Sequence, residues 1–168
     1  MATDQGALAA QPHGVARSSQ WNTVRKKHLK ANPYCAACKP PSGWKKLLHA
    51  GKTLIGLRPV QVHHIIPFHI CTAMGRPELE LDNRNLITLC ESGENHHVLL
   101  GHLGDFQSYD IDIILHAVRT FHGRTKDQIK EDPHWQKLSH ERPKDLDKLA
   151  AEERFHLIQL IDTMYPRV

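Results

Sequence analysis

The sequence predicts a small α+β fold, with two short strands and a short helix at its centre and helices on either side. Three observations carry this. Residues 53–66 (TLIGLRPVQVHHII) are rich in β-branched side chains, and 86–89 repeat that character in a shorter run. Gly and Asn residues punctuate the chain immediately after the second run. Apolar residues recur at helical spacing near both ends.

Each element follows from local chemistry. Residues 1–16 are small, polar and unpatterned and read as a flexible tail. They lack an apolar stretch and so do not read as a signal peptide. Ser18 or Ser19 is placed to cap a helix reaching about Ala31, with Trp21, Val24 and His28 on one face. Asn32-Pro33 ends it, because the residue before a proline is pushed out of the helical region. Cys35-Ala-Ala-Cys38 follows, then the turn Pro40-Pro41-Ser42-Gly43. The 53–66 stretch gives one or two strands. Residues 67–84 hold Pro67, Gly75, Pro77 and Asn83 with little periodicity and read as a long loop. The 86–89 strand ends at Cys90, and Ser92-Gly93-Glu94-Asn95 turns the chain into a short helix at 96–102, stopped by Gly101 and Gly104. Ile111, Ile114, Leu115 and Val118 mark another helix, closed by Gly123. Residues 123–144 are polar and mixed. Leu146, Leu149, Ala150, Leu157, Leu160 and Ile161 mark a last amphipathic helix, stopped before Pro166.

Composition narrows the function classes. The 168 residues are 40% hydrophobic and 24% charged, the balance of a globular chain. No apolar run approaches the roughly 18 residues of a membrane span, so no membrane partner is expected. These features together point to an intracellular, cytoplasmic location. The net charge of +4 conceals an asymmetry. No Asp or Glu occurs in the 73 positions between Asp4 and Glu78, while that stretch holds eleven Lys and Arg. A one-signed half of this length suits a polyanion, most often nucleic acid.

The residues able to carry chemistry fall in a fixed order: Cys35-x-x-Cys38, then Val62-His63-His64-Ile65-Ile66-Pro67, then Asn85-Leu-Ile-Thr-Leu-Cys90, then Asn95-His96-His97. Each piece alone is weak; the order and spacing together are specific. The Cys pair lies after a helix and before a Pro-Pro turn, which disfavours a thiol redox motif, since that motif opens a helix.

This arrangement resembles the HNH endonucleases of the ββα-metal (His-Me finger) type. The segment Asn95-His-His-Val-Leu-Leu-Gly-His-Leu-Gly-Asp-Phe106 is similar to the phage and bacterial branch, and the resemblance covers roughly residues 17–106. A nuclease domain is then expected at 17–122, while residues 123–168, which contribute nothing to the resemblance, read as a C-terminal helical extension. The resemblance implies that His64 is the general base and that Asn85 orders the loop holding that base. His63 and His97 fall on the ligands of a catalytic divalent cation, with Mg²⁺, Mn²⁺, Ni²⁺ or Zn²⁺ all compatible. Cys35, Cys38 and Cys90 fall on a structural zinc site. The family's fourth Cys is replaced here by His96, an acceptable zinc ligand, and Cys71 is the other candidate. The expected substrate is DNA rather than RNA. Arg25, Lys26, Lys27, Lys30, Lys45, Lys46 and His69 are the candidate contacts to it.

The adjacent pair His63-His64 poses a geometric problem, since neighbours on a strand point to opposite faces. His102 stands five residues past His97, off the same face of an α-helix, and reads as a polar residue before a helix end. A zinc-stabilised nucleic-acid-binding module without catalysis is the competing reading. The last helix is open to three roles: packing on the core, dimerising, or docking to a partner such as a phage packaging or recombination protein.

Overall fold

The structure is a computed structural model, and it describes residues 16–38, 59–142 and 149–166. Residues 1–15 of the tail expected at 1–16, the turn Pro40-Pro41-Ser42-Gly43, the strand segment at 53–58, and Lys45, Lys46 and Leu146 lie outside the described residues.

The described residues form a small α+β protein. Helix α1 (Trp21–Ala31) leads to strand β1 (Val60–His64). A short helix α2 (Phe68–Ala73) and two 3₁₀ turns (Pro77–Glu80, Asn83–Asn85) connect it to β2 (Leu86–Cys90). The two strands pair antiparallel, with His63 opposite Ile87 and His64 opposite Leu86. A π-helical turn (His97–Gly101) follows. Next come α3 (Ile113–Leu115), running into a second π turn (His116–Thr120), then α4 (Lys126–Lys130), α5 (Pro133–His140) and α6 (Ala151–Met164).

Four expectations change. The 67–84 segment is not a structureless loop, because α2 and the 3₁₀ turns organise it. Its helix is too short to show a 3.6-residue period in sequence. Ser18 does not cap α1. The N-cap is Gln20, while Ser18 Oγ accepts from the Gln20 N–H at 3.2 Å, one step earlier. The polar 123–144 region contains α4 and α5, each started by a side-chain cap, Thr125 and Asp132. Finally, the stripe Ile114–Leu115–Val118 faces outward, and the segment buries Ile113, Ala117 and Phe121 instead.

One core serves the described chain. Ile65, Ile66, Ile70, Leu79, Leu89 and Leu100 pack with Ile113, Phe121, Ile129, Leu157, Ile161 and Tyr165. Helix α6 is therefore a core element on one side. Its buried positions Leu157 and Ile161, with Tyr165 beyond, follow an i, i+4, i+8 pattern. Leu160, expected on that face, is 42% exposed.

Candidate active site and metal centres

Two clusters of side chains able to hold a metal ion occur among the described residues. The first comprises Cys35, Cys38, Cys90 and His96. The Cys38 and Cys90 sulfurs are 3.9 Å apart, and His96 Nδ1 lies 3.4, 3.5 and 3.4 Å from Cys35, Cys38 and Cys90. A tetrahedral zinc with bonds of about 2.3 Å to sulfur and 2.0–2.1 Å to nitrogen has edges of roughly 3.8 and 3.5 Å. The observed spacings fit that ion. All four cysteines are free of disulfides, and the hydrogen bonds among Cys35, Cys38 and Cys90 favour the Cys90 thiolate while pushing the Cys38 thiol up. Cys71 is not in this group. Its buried sulfur contacts the Ile66 carbonyl at 3.5 Å, and burial pushes its thiol up to about 12.

The second cluster comprises His63, His97 and His102, whose ligand atoms lie within 4.8 Å of one another. Their rings meet edge-on, with centroids 4.8–5.3 Å apart. His102 ends the π turn, as its sequence reading expects, and is also brought beside His63 and His97. The cause is the π turn. Its i→i+5 hydrogen-bond pattern widens the helix, so residues five apart come to one side. His102 Nδ1–H donates to the Ser108 carbonyl at 2.9 Å, which leaves Nε2 as the free acceptor. His63 Nε2 is buried without a hydrogen-bond partner, an arrangement that a cation would satisfy. Burial and the neighbouring imidazoles hold His63 well below its ordinary value, and burial with His102 lowers His97 to about 4. All three are neutral near pH 7, the ligand form of imidazole.

Gly101 makes this cluster sterically feasible. A Cβ there would stand 3.0–3.1 Å from three atoms of the His63 ring. Sequence reading gave Gly101 only a helix-stopping role; it is also the floor beneath a ligand.

His64 lies beside the cluster. Its Nε2 is 2.9 Å from the Glu80 carbonyl, which can only accept, so Nε2 carries the proton and Nδ1 is free to act as a base. A backbone carbonyl of the segment between β1 and β2 thus fixes the His64 tautomer. Burial lowers His64 to about 4, with the Glu80 bond opposing and Arg17 assisting. Trp21 stacks on the ring at 4.6 Å. Asn85, fully buried, bridges three backbone groups. Its Oδ1 accepts from Ile66 N–H at 2.8 Å, and its Nδ2 donates to the Ile66 and Leu79 carbonyls at 3.0 and 3.1 Å. It ties the end of β1 to the residue before Glu80.

A cavity of about 470 Å³ joins these parts, lined by His63, His64, His97 and His102 among others. It runs along the edge of β1, where Gln61, Val62, His63 and His64 all reach it. This resolves the problem of opposite faces: an edge is shared by both. His63 turns toward the π turn and His64 toward Trp21. Arg17 and Arg25 line the same cavity, as does His69. The Arg17 guanidinium sits between Trp21 and Phe68, 4.6 and 4.5 Å from their ring centroids. Arg25 donates to Gln61 at 2.6 Å. Lys26, Lys27 and Lys30 are exposed on α1, beyond the cavity wall. Sequence reading placed Arg17 only within the basic stretch; its site role depends on aromatic neighbours distant in sequence.

Comparison with family models, curated proteins and solved structures finds no match to this chain. Among the described residues, no helix is long and apolar enough to cross a membrane.

Proposed function

We propose that this chain is a metal-dependent endonuclease of the HNH type, hydrolysing phosphodiester bonds in DNA. One observation carries the reading. A neutral imidazole anchored by a carbonyl, His64, and a group of three further imidazoles open onto one cavity. The order of two strands and a helical turn around these residues supports a ββα-metal core.

In this mechanism His64 Nδ1 removes a proton from water as the oxygen attacks phosphorus. The bond from phosphorus to the leaving oxygen breaks, and solvent protonates the departing alkoxide. Glu80 fixes the His64 tautomer and stabilises the imidazolium that forms, while Asn85 holds the segment presenting Glu80. A divalent cation held by His63, His97 and His102 would supply charge neutralisation at the phosphate and the leaving oxygen. Arg17 and Arg25, which line the same cavity, orient the phosphate, and Lys26, Lys27 and Lys30 follow the backbone beyond it. The Cys35–Cys38–Cys90–His96 zinc site is structural, tying the Cys35 turn to the end of β2.

The test is supercoiled-plasmid cleavage with Mg²⁺, Mn²⁺ or Ni²⁺, with and without brief chelation, beside His64→Ala. Metal-dependent nicking that falls by roughly 10²–10⁴-fold in His64→Ala is expected. A parent protein that binds plasmid under every cation and never cuts would hand the reading to a zinc-stabilised nucleic-acid-binding module.

A further inference from the structure

Phe106 is the most exposed of the large hydrophobic side chains among the described residues, with 67% of its surface open to solvent. It does not sit on a loose tip. Gly104 N–H donates to the Val98 carbonyl at 2.9 Å, and Asp105 N–H to the His102 carbonyl at 2.9 Å. Across the base of the loop, Ser108 Oγ donates to the His102 carbonyl at 2.6 Å, and His102 Nδ1–H donates back to the Ser108 carbonyl. Asp105 pairs with Arg142 at 3.1 Å. The loop is braced, and it holds an aromatic ring in water.

The ring stands at the cavity rim, on the side of the imidazole cluster. Its centroid is 5.0 Å from that of His102 and 6.4 Å from that of His97. Arg17 and Arg25 line the same cavity, and α1 adds three exposed lysines. A polyanionic strand drawn to these cations comes within reach of an exposed aromatic face at the same cavity. In a duplex, neighbouring base pairs cover each base face. An unpaired base offers its face freely, and such stacking tolerates any base identity.

We propose that Phe106 is a stacking platform for an unpaired nucleobase, so that single-stranded or locally unpaired DNA is the preferred substrate class of this site. The proposal rests on the nuclease reading for placing a phosphate beside the imidazoles, but stacking itself is a statement about binding. It is therefore tested by binding, in zinc-loaded His64→Ala protein, using fluorescence anisotropy with a short labelled single strand and its duplex. Phe106→Ala should weaken the single strand by roughly 5- to 150-fold and leave the duplex unchanged. Phe106→Tyr should bind like the parent, and Phe106→Leu like Phe106→Ala, because an aliphatic side chain keeps apolar contact but loses the π-face. A 2-aminopurine in the strand should be quenched by the parent and not by Phe106→Ala. Equal losses on both substrates would overturn the proposal in favour of a wedge between duplex base steps. No loss, full rescue by Leu, or no single-strand binding by the parent would overturn it outright. The two readings fail separately. Phe106-dependent binding without cleavage by the His64-containing parent sinks the nuclease and keeps the platform. Plasmid cleavage with Phe106-independent single-strand binding does the reverse.

Discussion

Asn85 shows how one side chain governs a site it does not enter. Its amide occupies the Ile66 N–H and the Ile66 and Leu79 carbonyls, all in a buried setting. Each such group left unpaired costs about 1–3 kcal/mol. Asn85→Ala should therefore lose at least about 2 kcal/mol in urea denaturation. It should also slow cleavage, because the Glu80 carbonyl that fixes His64 follows directly after Leu79. Asn85→Ala protein that kept parental stability would show that the three bonds carry no net stabilisation. Gly101 invites a different experiment. An added methyl meets the His63 ring, so Gly101→Ala must displace that ring or the π turn. Cation binding at the His63–His97–His102 group should weaken by calorimetric titration, while the zinc of the Cys₃His site stays at one ion per chain. His102→Ala should weaken the same cation, and the zinc-loaded melting curve should change little because His102 is only partly buried. Unaltered cation affinity in both variants would remove the three-imidazole site.

At the scale of elements, the π turn separates what was legible in sequence from what was not. His63, His64, Asn85 and the Cys-x-x-Cys pair stood out because strand and knuckle spacings are short and regular. The structure brings His63 beside His97, His64 against the Glu80 carbonyl, and Cys35 and Cys38 beside Cys90 and His96. His102 was hidden because an α-helical period was assumed where the chain adopts i→i+5 bonding. Arg17 and Phe106 were hidden for another reason: their positions depend on tertiary neighbours, which no local pattern encodes. The outward stripe of α3 is a related case. Ile113 and Ala117 won the core over Ile114 and Val118, and the segment between them is anchored by His116. Its Nδ1 lies 2.6 Å from Asp110 Oδ2, with both side chains buried. The Asp110 hydrogen bond raises the His116 pKa against the pull of burial, with Asp112 adding to the field, and His134 faces the ring edge-on at 5.4 Å. A histidine raised in the folded state contributes stability that is fully present below its unfolded value, about 6.5, and lost as pH rises through the folded value. The stability gap between the parent and His116→Gln should thus be about 1.5–3 kcal/mol near pH 6 and shrink toward pH 9. A gap independent of pH would mean that the pair is not charged in the folded protein.

For the molecule as a whole, the question is what the C-terminal arm does for the β1–β2 pair. The arm is wired to the site by two routes. Tyr165 Oη donates to Asn85 Oδ1 at 3.3 Å, adding a bond to the residue that ties Ile66 to Leu79. Arg76, buried just before the Pro77–Glu80 turn, is neutralised by Glu78 and by Asp162 of α6, and it donates to the Tyr165 carbonyl at 2.7 Å. Leu157, Ile161 and Tyr165 complete the core beneath these contacts. Of the three roles left open by the sequence, packing on the core accounts for this face, while Phe155 and Ile158 remain exposed on the helix. Burying three such side chains contributes roughly 1.5–3 kcal/mol each. Their sum is comparable to the whole stability of an ordinary domain, about 5–15 kcal/mol. Truncation after Arg142 should therefore abolish cooperative melting or lower Tm by more than about 10 °C. Tyr165→Phe keeps the ring and removes only the hydroxyl. It should leave Tm within a few degrees yet reduce cleavage, because the bond it deletes ends on Asn85. If truncation left the melting curve unchanged, α6 would be an appendage and its buried face an interface for something else. If Tyr165→Phe cut DNA as fast as the parent, the arm would stabilise the fold without positioning the base.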